Sequence, residues 1–125
     1  MILLGDGIDI NGAGYINGGT IIVNGPTNSG NGALDYDGTF EISGGTLIAV
    51  GASGMMQTPS SSSSIYSISY VYSSAQQANT KITIKNSSDE EIVSFIPNKN
   101  YESVVISTEK LKKEKPISFI QMMKK

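Results

Sequence analysis

Two short runs set the pattern for the first half of the chain. Ile8 and Ile10 alternate with Asp9 and Asn11, and Leu34 and Tyr36 alternate with Asp35 and Asp37. Alternation with period two marks a strand with one apolar and one polar face. The two runs share one phase and lie 26 positions apart. The same offset carries Gly14 and Ile16 onto Phe40 and Ile42, with Tyr15 and Glu41 on the opposite face. It also carries Gly12 onto Gly38, Gly19-Thr20 onto Gly45-Thr46, and Gly25 onto Gly51. The paired glycines before each Thr permit positive φ, so the chain can turn sharply there. Ile21-Ile22-Val23 and Leu47-Ile48-Ala49 follow, apolar at every position. Parity does not decide which of them point inward.

Each repeat therefore holds about three short strands separated by glycine corners, a density of Gly and β-branched residues that disfavours helix. A parallel β-helix of two to three coils fits best, with equivalent residues stacked about 4.8 Å apart. Ile8, Ile10, Leu34 and Tyr36 are expected inside, together with Phe40; Asp9, Asn11, Asp35 and Asp37 are expected outside.

The pattern changes after residue 54. Residues 55–64 run Met-Met-Gln-Thr-Pro followed by five Ser, the composition of a flexible linker. Tyr66, Ile68, Tyr70 and Tyr72 then alternate with Ser67, Ser69 and Val71, and Ile82 and Ile84 with Lys81, Thr83 and Lys85. Asn86-Ser87-Ser88-Asp89 is turn chemistry, and Ile92–Ile96, Ser103–Ser107 and Ile117–Ile120 read as further strands. The chain is thus expected to be all-β: coils over 1–54, a Ser-rich linker over 55–64, and an antiparallel region over 65–125 packing on or beside the coils. Tyr66, Tyr70 and Tyr72 are expected to pack that region against them.

Composition narrows the chemistry. The chain has no Cys, His or Trp, and its nine basic residues are all Lys. Disulfides, Cys or His metal sites and a His general base are excluded. The formal net charge of −2 conceals an asymmetry: residues 1–80 hold five acidic residues and no Lys, residues 81–125 nine Lys and six acids. No apolar run approaches the roughly 20 residues of a membrane span. Met1-Ile2-Leu3-Leu4 is too short for a signal-peptide core. Nucleic acid is not an expected partner, because the repeats are acidic and the Lys-rich end lacks interleaved aromatics.

Stacking at this offset sets Asp9 over Asp35 and Asn11 over Asp37. Carboxylates about 5 Å apart repel by roughly 1 kcal/mol in water and about 3 kcal/mol at an effective dielectric near 20. A hard cation with oxygen ligands would offset that, and Ca²⁺ favours Asp, Asn and carbonyl oxygens. Asp9, Asp35 and Asp37, with Asn11 and Asp6, are the candidate Ca²⁺ ligands; a hydrated acidic ladder at tight turns is the alternative. Asp9-Ile10-Asn11-Gly12 is not an EF-hand loop, since the later ligands are missing. Tyr15, facing outward beside Glu41, is the candidate platform for a sugar ring, with Asn28 in the Asn24–Asn31 loop as a hydrogen-bonding partner.

The run DGIDINGAGYINGGTIIVNGPTNSGNGALDYDGTFEISGGTLIAVGASGM, and within it NGPTNSGNGALDYDG, resembles a bacterial family known from cellulolytic clostridia: carbohydrate-binding, calcium-binding right-handed β-helix proteins related to pectate lyases. AQQANTKITIKNSSDEEIVSFIPNKNYESVVISTEKLKK is similar to the C-terminal segment of the same family, so the resemblance covers roughly residues 6–113. It implies a right-handed coil, bound Ca²⁺, a plant cell-wall polysaccharide such as cellulose or pectin as partner, and an extracellular or cell-surface location. It also implies further coils upstream and a different ending after Lys113, on which reading the chain is a fragment with an altered C-terminal frame. Related lyases abstract a proton with a basic residue, typically Arg. This chain has no Arg and its coils no Lys, so a non-catalytic binding module is expected, with a structural stalk or adhesin as alternative and a lyase as the weaker one. Solenoids need about three or more repeats, so self-association through an open N-terminal coil is also expected.

Overall fold

The computed structural model describes residues 2–4, 8–10, 12–25, 32–52, 54, 57–60, 62–86, 90–111 and 117–123, with the backbone alone at 2–4, 9, 86 and 117–123. Within these residues the chain is all-β. Twelve strands follow one another: β1 (Ile2–Leu4), β2 (Ile8–Ile10), β3 (Gly14–Ile16), β4 (Thr20–Asn24), β5 (Leu34–Tyr36), β6 (Phe40–Ile42), β7 (Thr46–Gly51), β8 (Ser67–Gln76), β9 (Thr80–Asn86), β10 (Glu91–Phe95), β11 (Tyr101–Thr108) and β12 (Ile117–Met123).

The repeat appears as three parallel ladders. β2 pairs with β5 (Ile8 beside Leu34), β3 with β6 (Gly14 beside Phe40) and β4 with β7 (Thr20 beside Thr46), all at the offset of 26. β1 adds a further parallel strand to β4, Ile2 beside Ile22. The corners fall where the glycine pairs predict: Gly19 has φ +80° and Gly45 φ +85°, the left-handed region that favours glycine. At Gly45 a Cβ would also run into the Gly19 carbonyl oxygen, so the corner needs glycine twice over. Gly14 serves packing instead. A Cβ there would lie 2.7 Å from both Ile10 Cδ1 and Phe40 Cδ1, and its absence lets the Phe40 ring enter the core.

The five-stranded sheet is mixed, not purely parallel. Its order is β1-β4-β7-β11-β8, and β11 joins β7 antiparallel (Val105 beside Ala49), with β8 antiparallel on β11. A separate antiparallel sheet runs β10-β9-β12. Strand pairing by itself does not fix a right-handed coil path.

The mixed sheet has a core on each face. On one side Val23, Leu47, Ala49 and Val105 pack with Ile16, Leu34, Phe40 and Ile42, joined by half-buried Ile8, Ile10 and Tyr36. On the other, Ile48, Val50, Val104 and Ile106 meet Ile82, Ile84 and Ile92 of the three-stranded sheet. This answers what parity left open. β4 and β7 are apolar at successive positions because both faces are covered, the same reason that buried parallel strands read as continuous apolar runs.

Residues 57–65 correct the linker reading. The Phe40 amide donates to Ser60 Oγ (2.9 Å) and the Ile42 amide to Ser63 Oγ (2.9 Å), while the Ser60 and Ser64 amides donate back to the Phe40 and Ile42 carbonyls. Gln57 does the same for β5, its Oε1 accepting from the Tyr36 amide at 2.9 Å. Serine hydroxyls thus stand in for a partner strand along one edge of β6, and the Gln57 side chain does so at β5. A flexible tether carries the same composition, but here the hydroxyls are spent on strand-edge donors that would otherwise lack partners. The tyrosines of β8 also depart from expectation. Tyr72 is half-buried and packs on Tyr101 at 5.5 Å, whereas Tyr70 on the same strand and Tyr66 just before it stay about half exposed.

Candidate functional site

The ladder of β3 and β6 places its outward residues side by side. Gly14 and Ile16 are buried inward, as are Phe40 and Ile42, so Tyr15 and Glu41 must face out together, and they are register partners. One step further along, Asn17 and Ser43 repeat the relation at the same offset; Ser43 Oγ donates to Asn17 Oδ1 at 2.7 Å. The Ser-rich edge closes this face. Tyr15, Asn17, Glu41, Ser43, Ser62 and Ser64 line an open groove of about 320 Å³.

Tyr15 is the most exposed large apolar side chain described, at 64%. Phe40, one rung away on the neighbouring strand and on the opposite face, is buried and stacks on Tyr36 with centroids 5.7 Å apart. The contrast separates the two kinds of aromatic: one packs in the core, the other is presented to solvent over polar neighbours. An aromatic face beside one carboxylate, an amide and several hydroxyls offers stacking for C–H surfaces and both donors and acceptors for hydroxyl groups.

Asp9 and Asp35 are register partners on β2 and β5, and Asp35 and Asp37 are exposed. The ladder thus aligns two of the proposed Ca²⁺ ligands on adjacent rungs with a third two residues on. Asp6 and Asn11 lie outside the described residues, as does Asn28 of the proposed sugar contacts. Among the described residues no three acidic side chains form a group able to hold a metal. A cation here would have to complete its shell with carbonyl oxygens and water.

Asn17, Ser43 and Ser62–Ser64 were not among the expected site residues. Asn17 and Ser43 carried a usable signal, since they obey the same offset as Tyr15 and Glu41. The serines carried none: nothing in a run of Ser says which edge it will bind.

No helix among the described residues is long and apolar enough to cross a membrane. Comparisons of the chain with protein-family models, with curated proteins and with solved structures found no match.

Proposed function

We propose that this all-β chain is a non-catalytic polysaccharide-binding module whose first seven strands are coils of a right-handed parallel β-helix. One observation carries the reading: Tyr15 is exposed at 64% over a groove lined also by Asn17, Glu41, Ile42 and four serines. The polysaccharide lies across the β3–β6 face, a sugar ring on Tyr15 and its hydroxyls on Glu41, Asn17 and Ser43. The constant offset in three parallel ladders supports the coil reading, since a β-helix brings equivalent residues of successive turns into register.

Ca²⁺ belongs to the same proposal. Asp9, Asp35 and Asp37 would hold it between coils, with Asp6 and Asn11 as further candidate ligands, and its charge would offset the repulsion along the acidic ladder. The partner is a plant cell-wall polysaccharide such as cellulose or pectin, met at the cell surface. With no Lys on the coils and no Arg or His in the chain, the groove offers no base other than a carboxylate for proton abstraction.

Pull-down on cellulose and on cross-linked pectin, with and without chelator, tests this. Retention on at least one matrix is expected, together with a melting midpoint raised by millimolar Ca²⁺. Passage through both matrices overturns the binding reading. Unsaturated products from polygalacturonate would overturn the non-catalytic one.

A further inference from the structure

The groove over β3 and β6 holds a single charge, and it is negative. Of the eight residues lining it, only Glu41 is charged at neutral pH. Among the described residues the Glu41 carboxylate has no ion pair and no hydrogen bond, so its acceptor capacity is left for whatever enters the groove.

The charges around the groove have the same sign. Residues 1–80 contain five acids and no Lys. Two of those acids, Asp35 and Asp37, stand exposed on β5 and just past it, in the strand before β6 and the turn between them. Beyond Ser43, at the other end, the Gly45 amide donates to Glu109 Oε2 at 3.0 Å, so a carboxylate borders that corner too. Lys110 follows Glu109 in the chain but does not line the groove. Backbone N–H groups are the other means of holding an anion, and along this edge they are spent. The Phe40 and Ile42 amides donate to Ser60 Oγ and Ser63 Oγ, each at 2.9 Å.

The groups that remain are neutral and two-sided. The Tyr15 and serine hydroxyls and the Asn17 side chain both donate and accept, as sugar hydroxyls do. A carboxylate only accepts, and within about 5 Å of Glu41 it meets like-charge repulsion with no cation to relieve it.

We propose that Glu41 makes this groove selective for neutral polysaccharides and turns uronate-rich ones away. The inference rests on the polysaccharide reading above and narrows its partner to an uncharged glycan. A hydroxyl of the sugar on Tyr15 donates to Glu41, a charge-assisted bond stronger than one between neutral groups. A uronate in the same place sets its carboxylate against that of Glu41.

Two matched pairs of matrices read the selection: cellulose against cellulose oxidised to the C6 carboxylate, and fully methyl-esterified pectin against its de-esterified form. A chelator is present throughout, so that no divalent cation bridges carboxylates. Co-sedimentation of the native chain should favour the neutral member of each pair it binds by about fivefold at roughly 10 mM salt. At about 1 M salt, where the Debye length falls to about 3 Å, the preference should shrink to about twofold or less. Glu41→Gln removes the charge and keeps the shape. It should weaken neutral retention slightly, through loss of the charge-assisted bond, and strengthen retention of the charged member, closing most of the gap. Ser62→Lys, which sets a cation on the exposed lip of the groove, should move the ratio in the same direction. Charged members retained as well as the neutral ones, or better, at low salt overturn the proposal and leave the polysaccharide reading standing. A ratio that neither E41Q nor S62K moves overturns it likewise. Retention on no matrix at all overturns that reading first, and this proposal with it.

Discussion

In β4 and β7 every residue lies beside the one 26 positions further on, whereas in β11 and β8 the neighbour of a residue depends on where the intervening loops reverse the chain. Both pairs belong to one sheet, and both bury apolar side chains on the same two faces. The difference lies in where the register comes from. A repeat carries its own ruler, since equivalent corners return equivalent residues to the same place. The antiparallel strands have no such ruler, and their register comes from side chains that meet only after folding. Ser103 Oγ donates to the Gly51 and Ala52 carbonyls at 3.2 Å, Thr46 and Thr108 share a hydroxyl bond at 2.9 Å, and the Gly45 amide donates to Glu109 Oε2 at 3.0 Å.

The sharpest way to break this comparison is to ask whether the two regions fold separately. Ile106 in β11 is fully buried between them. Ile106→Ala should cost about 2–5 kcal/mol through lost transfer energy and the cavity left behind. One cooperative transition, followed by calorimetry and circular dichroism, should shift as a whole. Two transitions, only one of them displaced, would mean that the repeat strands β2–β7 stand alone.

A smaller effect tests the corner. Gly45→Ala places a side chain at positive φ and against backbone, and should cost about 1–3 kcal/mol. Gly12→Ala meets no atom within 4 Å and should stay within about 0.5 kcal/mol in chemical denaturation. Equal costs would show that the corner geometry is misread.

The Ser-rich edge gives a third contrast. Ser60→Ala removes the acceptor of the Phe40 amide and should destabilise by about 1–3 kcal/mol, while exposed Ser62 tolerates Ala. Hydrogen exchange at the Phe40 amide should rise in the first variant alone.

The smallest effect is confined to alkaline pH. Burial first, then Tyr101 and Tyr70, push the Tyr72 hydroxyl well above the usual tyrosine value of 10.0. Above pH 10 the unfolded chain therefore loses this proton before the folded one does. Its contribution is complete below that pH and is lost as pH rises toward the folded value. Tyr72→Phe should flatten the fall in stability above pH 10; an unchanged slope would place the alkaline sensitivity elsewhere.

What could be read in advance follows the same division. The offset of 26 named every rung of the three ladders built by the repeat, from Ile8 and Leu34 to Thr20 and Thr46, and with them the outward pair Tyr15 and Glu41, but not the parallel pairing of β1 with β4. Alternation located β8, β9, β10 and β11 to within a few residues, and reading 92–96 as the second arm of a turn at 86–89 paired β10 with β9, but the partners of β8 and β11 were not legible. Nothing in Val104, Val105 and Ile106 says that they continue the sheet of β4 and β7, because a strand with both faces buried looks alike in either setting. The serines beside Tyr15 were illegible for a different reason. Ser63 accepts from the Ile42 backbone amide, a partner that carries no sequence signal, and composition alone could not tell a cap from a tether.

Tyr15 stands at the centre of the functional reading, and its position allows a clean test. It is exposed and outside both cores, so Tyr15→Ala should leave the melting midpoint unchanged. Co-sedimentation of the native chain and Y15A with insoluble cellulose and pectin, side by side at matched concentration, should show Y15A weakened at least tenfold, about 1.4 kcal/mol. Equal retention of the two on every matrix that binds the native chain would contradict the assignment of the β3–β6 face as the polysaccharide site.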